Sequence, residues 1–560
     1  MNTSAFMHYI RPCLKLIILA CLNLTACGPG QSPGAFDSAG QVRALISKPM
    51  TSYAAARAAE QVSFGPNAAL VSELSQLGIE SWMDKQLSMA PTQTLAPNWV
   101  IDYNVNNDAE SNKAGGFPME QFWIRALSAP DQLRQRVVWS VFQYIPVAMA
   151  RPYGHVEYHN MLARQVFGNY ADLLRAVTVH PMMGFFLNND QNRPVSPQCL
   201  GCTPNENFAR ELMQLFTLGV VKLNLDGSVQ RDGNGKPLET YTQKDVEELA
   251  RALTGWRMSY KQGLPSGNDL NYGVNMVPET QAFLHDSGSK TVMGVKIASG
   301  MDASNELDAV IALLMKHPNI APFVSLRLIQ HLVTSNPSPE YLSRVASVFR
   351  NNGQGVSGDM KAVIKAILLD PEARRGDIPG NSSASFGKLK EPVLWYAALL
   401  RGMSCKKPLY STYQGNKNVN SPQNQNPDNP SSIFSYYQAT DRAPGSNLLA
   451  PEQKLINTLE FRDRLGNLHW QLLNLNNVDS LANRTESGCD LNSLVNAFKE
   501  SPSAYIDLVA RLWFRGAMPP TLKQNMNAMI LSKQGYSTAE EGAVLLMQFA
   551  LTSPYFGAMK

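Results

Sequence analysis

TPNENFARELMQLFTLG, residues 203–219, is the stretch of sequence that most clearly indicates the fold. Its apolar residues recur every three or four positions, which is the spacing of one face of an α-helix. Thr203 is expected to cap this helix, Pro204 to occupy its first turn and Glu206 to reciprocate the cap. Gly219 is expected to end it, because glycine readily adopts the left-handed conformation that closes many helices. The stretch therefore predicts one capped amphipathic helix.

YTQKDVEELARALTGW, residues 241–256, predicts a second helix by the same periodicity. Val246 and Leu249 fall on its apolar face. Thr242 and Asp245 have the spacing of a capping box, in which each side chain satisfies a free backbone amide at the helix start.

Helical periodicity dominates the rest of the chain, and strand signals are few. Residues 223–241 and 283–297 each resemble two short strands around a Gly-rich turn. The sequence thus predicts a mainly α fold, with a large multi-helix domain and one or two short β-hairpins. Further helices are expected over 68–88, 118–128, 131–147, 157–180, 306–316, 321–333, 339–351, 358–369, 386–401, 451–475, 491–513, 519–531 and 538–551.

The first residues have the pattern of a lipoprotein signal peptide. Arg11 and Lys15 precede the apolar run LIILACLNLTA, which is too short to span a bilayer as a mature helix. The small residues before Cys27 are typical of cleavage by a lipoprotein signal peptidase. Acyl chains such as palmitate on Cys27 would then anchor the protein in the lipid bilayer. Gly28 is not the aspartate that retains many lipoproteins at the inner membrane, so we expect an outer membrane lipoprotein, facing the periplasm or the cell surface.

Composition divides the chain into five predicted segments. The signal peptide covers residues 1–26, and a tether rich in Gly, Pro, Ser and Ala covers 27–45. The main helical domain is expected over 46–405. A polar loop rich in Asn and Pro follows over 406–447, and a C-terminal helical part that packs on the main domain covers 448–560. A polar loop of this length inside a folded region is usually functional or disordered.

The charge balance excludes nucleic acid as an expected partner. The first 26 residues hold two of the 49 basic residues and none of the 45 acidic ones, so 47 face 45 in the mature chain. Nucleic-acid binding would require a strong basic bias or stripe.

The cysteines indicate an oxidising compartment. Two of the seven leave with the signal peptide and Cys27 is acylated, which leaves four to form disulfides. Cys199 and Cys202 form a CxxC that would also suit a redox pair or half of a zinc site, but no second such pair lies near them. We expect Cys199 to pair with Cys202 and Cys405 with Cys489.

The motifs resemble those of the large bacterial family known as domain of unknown function 1800. The resemblance covers nearly the whole mature chain in order, and it implies an exported, mainly α-helical protein whose activity has no agreed assignment. Genes of this family often lie beside genes for exported proteins with a sulfatase-like fold, which implies such a partner. In AARAAEQVSFGPN, the His and Arg that the family pattern often has before the phenylalanine are not found at those positions. We therefore expect no site that depends on them. The matching segments are SFGPN, GIESWMDKQL, LRQRVVW, FGNYADLLRAVTVHPMMGFFLNN, PNENFARELMQLFTLGVVKLNLDG, TYTQKDVEELARALTGW, HDSGSK, RLIQHLVTSNPSPEYL, KEPV, SSIFSYY, LLAPE and LTSPYF.

The ENFARE segment allows two interpretations. In the first, Glu206 is a cap paired with Arg210, while Asn207 and Glu211 bond a neighbouring loop. In the second, Glu211 and Asn207 face a pocket with distant histidines and an aspartate, where they bind a divalent metal or share acid and base roles. Under the second, the catalytic residues are Glu211, His180 and Asp286, and the metal ligands are His180, Glu211, His285 and Asp286. Binding contacts are expected from Asn205, Glu206, Asn207, Arg210, Trp256 and His285.

Structural alternatives exist for the other candidates. His180 follows an apolar helical run and would then interact with free carbonyl groups at a helix end. Asp286 precedes Ser-Gly and would then only form a turn. Trp256 at a helix end suits packing as well as ligand contact. Tyr436 and Tyr437, beside the polar loop, suit stacking on sugar rings.

Two functions follow as hypotheses. The leading one is an envelope lipoprotein that binds or scaffolds an exported partner or a surface polymer such as a glycan. The alternative is a metal-assisted hydrolase that acts on an envelope or extracellular polymer. No HExxH motif and no Walker loop occurs in the sequence, so the common zinc hydrolase and NTPase classes have no motif support.

Overall fold

The computed structural model describes most of the chain that follows the predicted tether. The described residues are 49–101, 108–148, 151–259, 271–413, 416–419, 422, 424–458, 487–533 and 535–560. The predicted signal peptide, Cys27 and the tether lie outside them, as does most of the helix predicted over 451–475.

Helices make up most of the described chain, so the predicted mainly α class is confirmed. Many begin at a side chain that accepts a free backbone amide, as Thr51 accepts from Ala54 and Asn67 from Leu70. The helices of the first half are α1 (Ser52–Val62), α2 (Ala68–Leu77), α3 (Ile79–Ser88), α4 (Asn98–Ile101), α5 (Asp108–Ser128), α6 (Gln132–Phe142), α7 (Pro152–Gln165), α8 (Tyr170–Thr178), α9 (Pro181–Phe186), α10 (Asn207–Glu211) and α11 (Gln243–Ala252).

The second half continues in the same way. Thr538 and Glu541 form a capping box at the last helix, as Thr242 and Asp245 do at α11. These helices are α12 (Ala303–Lys316), α13 (Ile320–Leu332), α14 (Pro339–Arg350), α15 (Met360–Leu368), α16 (Pro371–Arg375), α17 (Pro392–Gly402), α18 (Asn492–Glu500), α19 (Pro502–Trp513), α20 (Pro520–Ser532) and α21 (Ala539–Leu551). Short 3₁₀ turns cover Ala282–Leu284 and Pro451–Leu455.

Three stretches predicted as single helices are each two helices in the structure. They are residues 68–88, 157–180 and 491–513. The first is interrupted at Gly78, whose φ of +71° leaves the helical region. The second is interrupted at Asn169, whose side chain accepts from the Ala171 amide and starts α8. The third is interrupted at Ser501, which caps α19 by accepting from Ala504. Periodicity continued across each break because the apolar faces on both sides meet the same core.

The helix predicted over 203–219 begins later than expected. Its N-cap residue is Glu206, which makes no side-chain capping bond, so the predicted capping by Thr203 and Glu206 is wrong. After α10 the chain continues as a π-helical turn over Leu212–Thr217. The helix predicted over 386–401 likewise begins only at Pro392, because the residues before it form a strand.

The strands form antiparallel pairs of two. The hairpin predicted within 283–297 is present as β3 with β4, while residues 223–241 form isolated bridges such as Leu223 with Val229 instead of regular strands. The strands are β1 (Trp256–Arg257), β2 (Val277–Pro278), β3 (Lys290–Val292), β4 (Val295–Ile297), β5 (Lys388–Leu389), β6 (Tyr410–Tyr413), β7 (Asn416–Val419) and β8 (Ala558–Met559), paired β1 with β2, β3 with β4, β5 with β8 and β6 with β7.

Helix α1 was not predicted from the sequence. It is rich in alanine and carries charged side chains that are nevertheless buried. Arg57 forms a 2.8 Å ion pair with Asp377, and Glu60 lies 3.0 Å from Lys390. Pairing of buried charges in this way avoids the large cost of an isolated charge in the core.

One hydrophobic core connects the two parts of the chain on either side of the polar loop. Trp395 packs edge-on against Phe556 with ring centroids 5.8 Å apart, and Trp513 Nε1 donates to the Ala398 carbonyl oxygen. The division at residues 405 and 448 stays a prediction.

The four cysteines pair in the arrangement expected from the sequence. Cys199 is bonded to Cys202, and Cys405 is bonded to Cys489. The second bond joins the segment after α17 to the segment before α18.

No single helix among the described residues is long and apolar enough to cross a membrane. Helices α12 and α13 meet the length and composition criteria only as a pair, with an angle of 79° between them.

Candidate functional site

The helix predicted over 203–219 changes from an α-helix to a π-helical turn beside a cleft. In the π-helical turn Leu212–Thr217, the Thr217 hydroxyl donates to the carbonyl oxygen of Leu212, and the Tyr170 hydroxyl donates to that of Phe216. A π turn inserts an extra residue into a helix and is frequent at functional sites. Leu212, Phe216 and Thr217 are buried, whereas Gln214, on the same turn, lines the cleft.

The cleft lies between this π turn, α13 and the segment 433–440. Its volume is about 270 Å³, near the lower end of the roughly 300–1,000 Å³ usual for ligand pockets. Aromatic rings form much of its wall and polar side chains interrupt them. The aromatic residues are Tyr144, Phe323, Phe434 and Tyr437, and the longer polar side chains are Gln143, Gln214, Arg327, His331 and Gln438.

The buried carboxylate of Glu391 forms hydrogen bonds with two side chains that line the cleft. Glu391 Oε1 accepts from Trp139 Nε1 at 2.7 Å and from Gln143 Nε2 at 2.9 Å. Its Oε2 accepts from Gln425 Nε2 at 3.0 Å and from the Tyr437 hydroxyl at 2.7 Å. Burial by itself would raise the pKa of Glu391, but nearby cations and these hydrogen bonds lower it below its ordinary value. The ionised Glu391 therefore fixes two lining side chains, Gln143 and Tyr437.

His331 lines the cleft with an uncharged imidazole ring. Its ring lies nearly parallel to Tyr144, with centroids 6.3 Å apart, and is tilted against Tyr437. Burial lowers the pKa of His331 well below its usual range, and Lys388, Arg136 and Arg327 lower it further. The imidazole is therefore uncharged near neutral pH.

His180, a predicted catalytic residue and metal ligand, acts as a helix cap. Its Nδ1 accepts from the Met182 amide at 3.1 Å at the start of α9, and its ring packs edge-on against Tyr158. Burial lowers the pKa of His180 to about 3. The ring is thus a neutral, buried cap at the N-terminus of α9. His180 lies just after the end of α8, as the sequence predicted, but its Nδ1 caps the following helix.

His285 and Asp286 belong to a cluster of ion pairs that holds the β3–β4 hairpin against α11 and α12. Asp286 makes two contacts with Arg251, at 2.7 and 3.1 Å. His285 Nε2 lies 2.9 Å from Glu306 Oε2, without the alignment of a hydrogen bond, and Lys290 Nζ lies 2.7 Å from the same oxygen. The carboxylates of this cluster are engaged by cations from the chain itself.

The ENFARE residues form a surface clasp between α10 and α11. Arg210 lies 2.7 Å from Glu206, and both bond the side chain of Gln243. Asn205 Oδ1 accepts from the amide of Asn207. The pairing of Glu206 with Arg210 fits the first, structural interpretation of the segment, whereas the capping role it gave to Glu206 is wrong.

Glu211 stands apart from that clasp. It is half-buried, its Oε2 has no hydrogen-bond partner among the described residues, and burial raises its pKa. Its charge contributes, after burial, to the raised pKa of Tyr241. It does not line the cleft.

Trp256 is part of the core. Only 2% of the residue is exposed, so a ligand has almost no access to it.

The structure does not assemble the predicted metal site. Within the described ranges, which include all four proposed ligands, no group of three or more His, Cys, Asp or Glu could hold a metal ion. His180 is used as a cap, while His285 and Asp286 are held by Glu306 and Arg251. A metal ion held by these residues together with Glu211 therefore has no support in the described chain.

The residues that shape the cleft were mostly missed. Arg327 and His331 lie four residues apart on α13, which is otherwise largely apolar. Polar side chains at that spacing on an apolar helix face were the available signal. Tyr437 was noted as a stacking residue and does line the cleft, whereas Tyr436 is buried and its hydroxyl donates to the Asn426 carbonyl.

Comparison with known families gives one match. The family described as protein of unknown function (DUF1800) matches residues 57–558. The chain belongs to the DUF1800 family. The match includes every residue of the cleft, so the cleft is formed entirely within the DUF1800 region. No curated protein and no solved structure matches the chain.

Proposed function

We propose that this DUF1800 protein is a lipid-anchored envelope protein whose cleft binds a saccharide unit of a surface polymer. Aromatic faces beside amide side chains suit a ligand with an apolar ring face and hydroxyl groups around its edge. The volume of about 270 Å³ has room for one or two small rings. Acylation of Cys27 would hold the cleft near the envelope polymers, and an exported protein with a sulfatase-like fold would be a partner there.

One observation carries the binding proposal. Gln143 lines the cleft, and its side chain is buried with Nε2 fixed on Glu391. Its Oε1 is buried and accepts no hydrogen bond from any residue that the structure describes. A buried acceptor left unsatisfied costs about 1–3 kcal/mol. A ligand hydroxyl that donates to this oxygen would remove that cost.

The proposal is tested by filling the cleft. Val220 lines the cleft and is 53% exposed, so Val220→Trp adds bulk there without entering the core. Val356 is 43% exposed outside the cleft, which makes Val356→Trp the matched control. Binding of glucose, glucuronic acid and oligosaccharides from hydrolysed surface polysaccharide would be measured by calorimetry on the full chain in detergent.

We expect saccharide binding by the wild type and by V356W, and its loss in V220W. Equal binding by V220W, or no saccharide binding by the wild type, would contradict the proposal.

A further inference from the structure

Arg327 is a cation in the wall of the cleft, and no counter-ion for it lies among the described residues. Its guanidinium lies over the ring of Phe323, 5.0 Å from the centroid, and Nη1 donates to Gln330 Oε1 at 2.8 Å. The edge formed by Nε and Nη2 makes no hydrogen bond to any described residue, and no described carboxylate forms an ion pair with Arg327.

Arg327 is only partly exposed, so its guanidinium keeps part of its contact with water on the side of the cleft. Partial burial lowers the pKa of Arg327 to about 10, with no acidic group opposing the shift. A cation that loses part of its hydration is favoured by an ion pair or by further hydrogen bonds. Arg327 has one hydrogen bond and no ion pair among the described residues, so an anion that enters the cleft would meet an unpaired cation.

Two buried arginines show how the fold can engage a guanidinium. Arg401 also has no carboxylate partner, but it donates to the carbonyl oxygens of Gly65, Ala126 and Leu127 and to Gln132 Oε1. Arg57, at 2.8 Å from Asp377, has an ion pair. Arg327, with one donated bond, has neither arrangement among the described residues.

The neighbouring cations are already balanced. Lys388 lies 3.0 Å from Glu452, and the charge of Glu391 raises the pKa of Arg136. His331 is neutral. Arg327 thus leaves a net positive charge beside the open cleft.

We propose that the ligand of this cleft is an acidic saccharide whose anionic group binds the Nε–Nη2 edge of Arg327. Two parallel N–H groups on one edge of a guanidinium match two oxygens of a carboxylate or of a sulfate or phosphate ester. Gln143 Oε1 would accept from a hydroxyl of the same ligand. The saccharide part rests on the function proposed above, whereas the anionic part rests on Arg327.

The test uses two pairs of probes, in each of which a carboxylate replaces an uncharged polar group. Glucuronic acid and glucose share a sugar ring, and benzoate and benzamide share an aromatic ring. Calorimetry on the full chain would compare the wild type with Arg327→Gln and Arg327→Lys. Arg511, an exposed arginine on α19 with no ion pair among the described residues, gives the control Arg511→Gln.

We expect the wild type and R511Q to bind glucuronic acid roughly 10-fold or more tightly than glucose, as one charge-assisted contact allows. R327Q should reduce the ratio of the affinities for glucuronic acid and glucose to about one without weakening the binding of glucose. R327K should restore part of this ratio. Thermal melting of each variant separates loss of binding from loss of folding.

The outcomes distinguish the two proposals. If glucose and glucuronic acid bind equally, or if R327Q keeps the ratio, the anionic inference is overturned and the saccharide function stands. If benzoate binds in an Arg327-dependent manner and no saccharide binds, the saccharide function is overturned and the anionic site stands. If none of the four probes binds, the anionic inference is overturned, and the saccharide function is overturned with it if the oligosaccharides also fail to bind.

Discussion

The Tyr437 hydroxyl donates a 2.7 Å hydrogen bond to Oε2 of Glu391. Tyr437 belongs to the segment that covers the cleft, and Glu391 is the residue before α17. This bond therefore ties the outer wall of the cleft to a carboxylate in the core.

Tyr437→Phe removes one of the donors to Glu391 and should lower the free energy of unfolding by about 1–3 kcal/mol, because a buried acceptor loses a partner. Tyr555 is 54% exposed, so Tyr555→Phe should change it by less than about 0.5 kcal/mol. Urea denaturation monitored by circular dichroism measures both. Equal midpoints for the two variants would show that the bond contributes nothing.

Asp428→Asn should stabilise the protein increasingly as the pH rises. Burial raises the pKa of Asp428 to about 7, and Arg125 only partly opposes this shift. The carboxyl of an unfolded chain titrates near pH 4, so the folded state favours the protonated form. The wild type then loses stability as the pH rises from about 4 to 7, which the variant avoids.

The other groups that face Asp428 do not change this sign. His159 Nε2 lies 3.8 Å away with its pKa lowered by burial, so it stays neutral in both proteins, and the pKa of Tyr436 is raised. The difference in the free energy of unfolding between D428N and wild type should grow by about 2–3 kcal/mol between pH 5 and pH 7. Urea denaturation at each pH measures it, and a constant difference would refute the assignment.

The two disulfides should differ in their contribution to stability. Cys405 and Cys489 are 84 positions apart, whereas Cys199 and Cys202 are three apart. In the chain-entropy account, the long loop gives about 4.5 kcal/mol and the short one about 2 kcal/mol. Thermal and urea denaturation of the two double Cys→Ala variants measure this, and a larger loss from the Cys199–Cys202 pair would contradict the account.

Cys27→Ser should release the protein from the membrane fraction. The proposed acyl chains depend on the Cys27 thiol, and several chains together are needed for durable anchoring. Mass spectrometry of the mature amino terminus should find a lipid-modified cysteine in the wild type and none in the variant. An unmodified wild-type terminus would remove the proposed anchor.

Local sequence signals predicted many of the helices correctly. Thr242 and Asp245 form the predicted capping box, and Glu206 pairs with Arg210 across one turn. Such contacts depend on residues three or four apart, which the chain brings together wherever a helix forms. Breaks at residues such as Gly78 were missed because the apolar pattern continues across them.

The candidate site was not predictable in the same way. His180, His285 and Asp286 have side chains suited to metal binding, but the fold uses the first as a cap and the others in ion pairs. The residues adjacent to a side chain in sequence do not indicate which distant cation or backbone amide the fold will place against it.

The sequence by itself determined the helical class, the family and many of the helix boundaries, because these depend on contacts within a few residues and on motifs read in order. Only the tertiary structure decided the cleft. Gln143, Gln214, Arg327 and Tyr437 come from four separate segments, and packing leaves the buried Gln143 Oε1 without a partner in the described chain. Whether a polar group is satisfied depends on every element packed around it, and that information is absent from any local pattern.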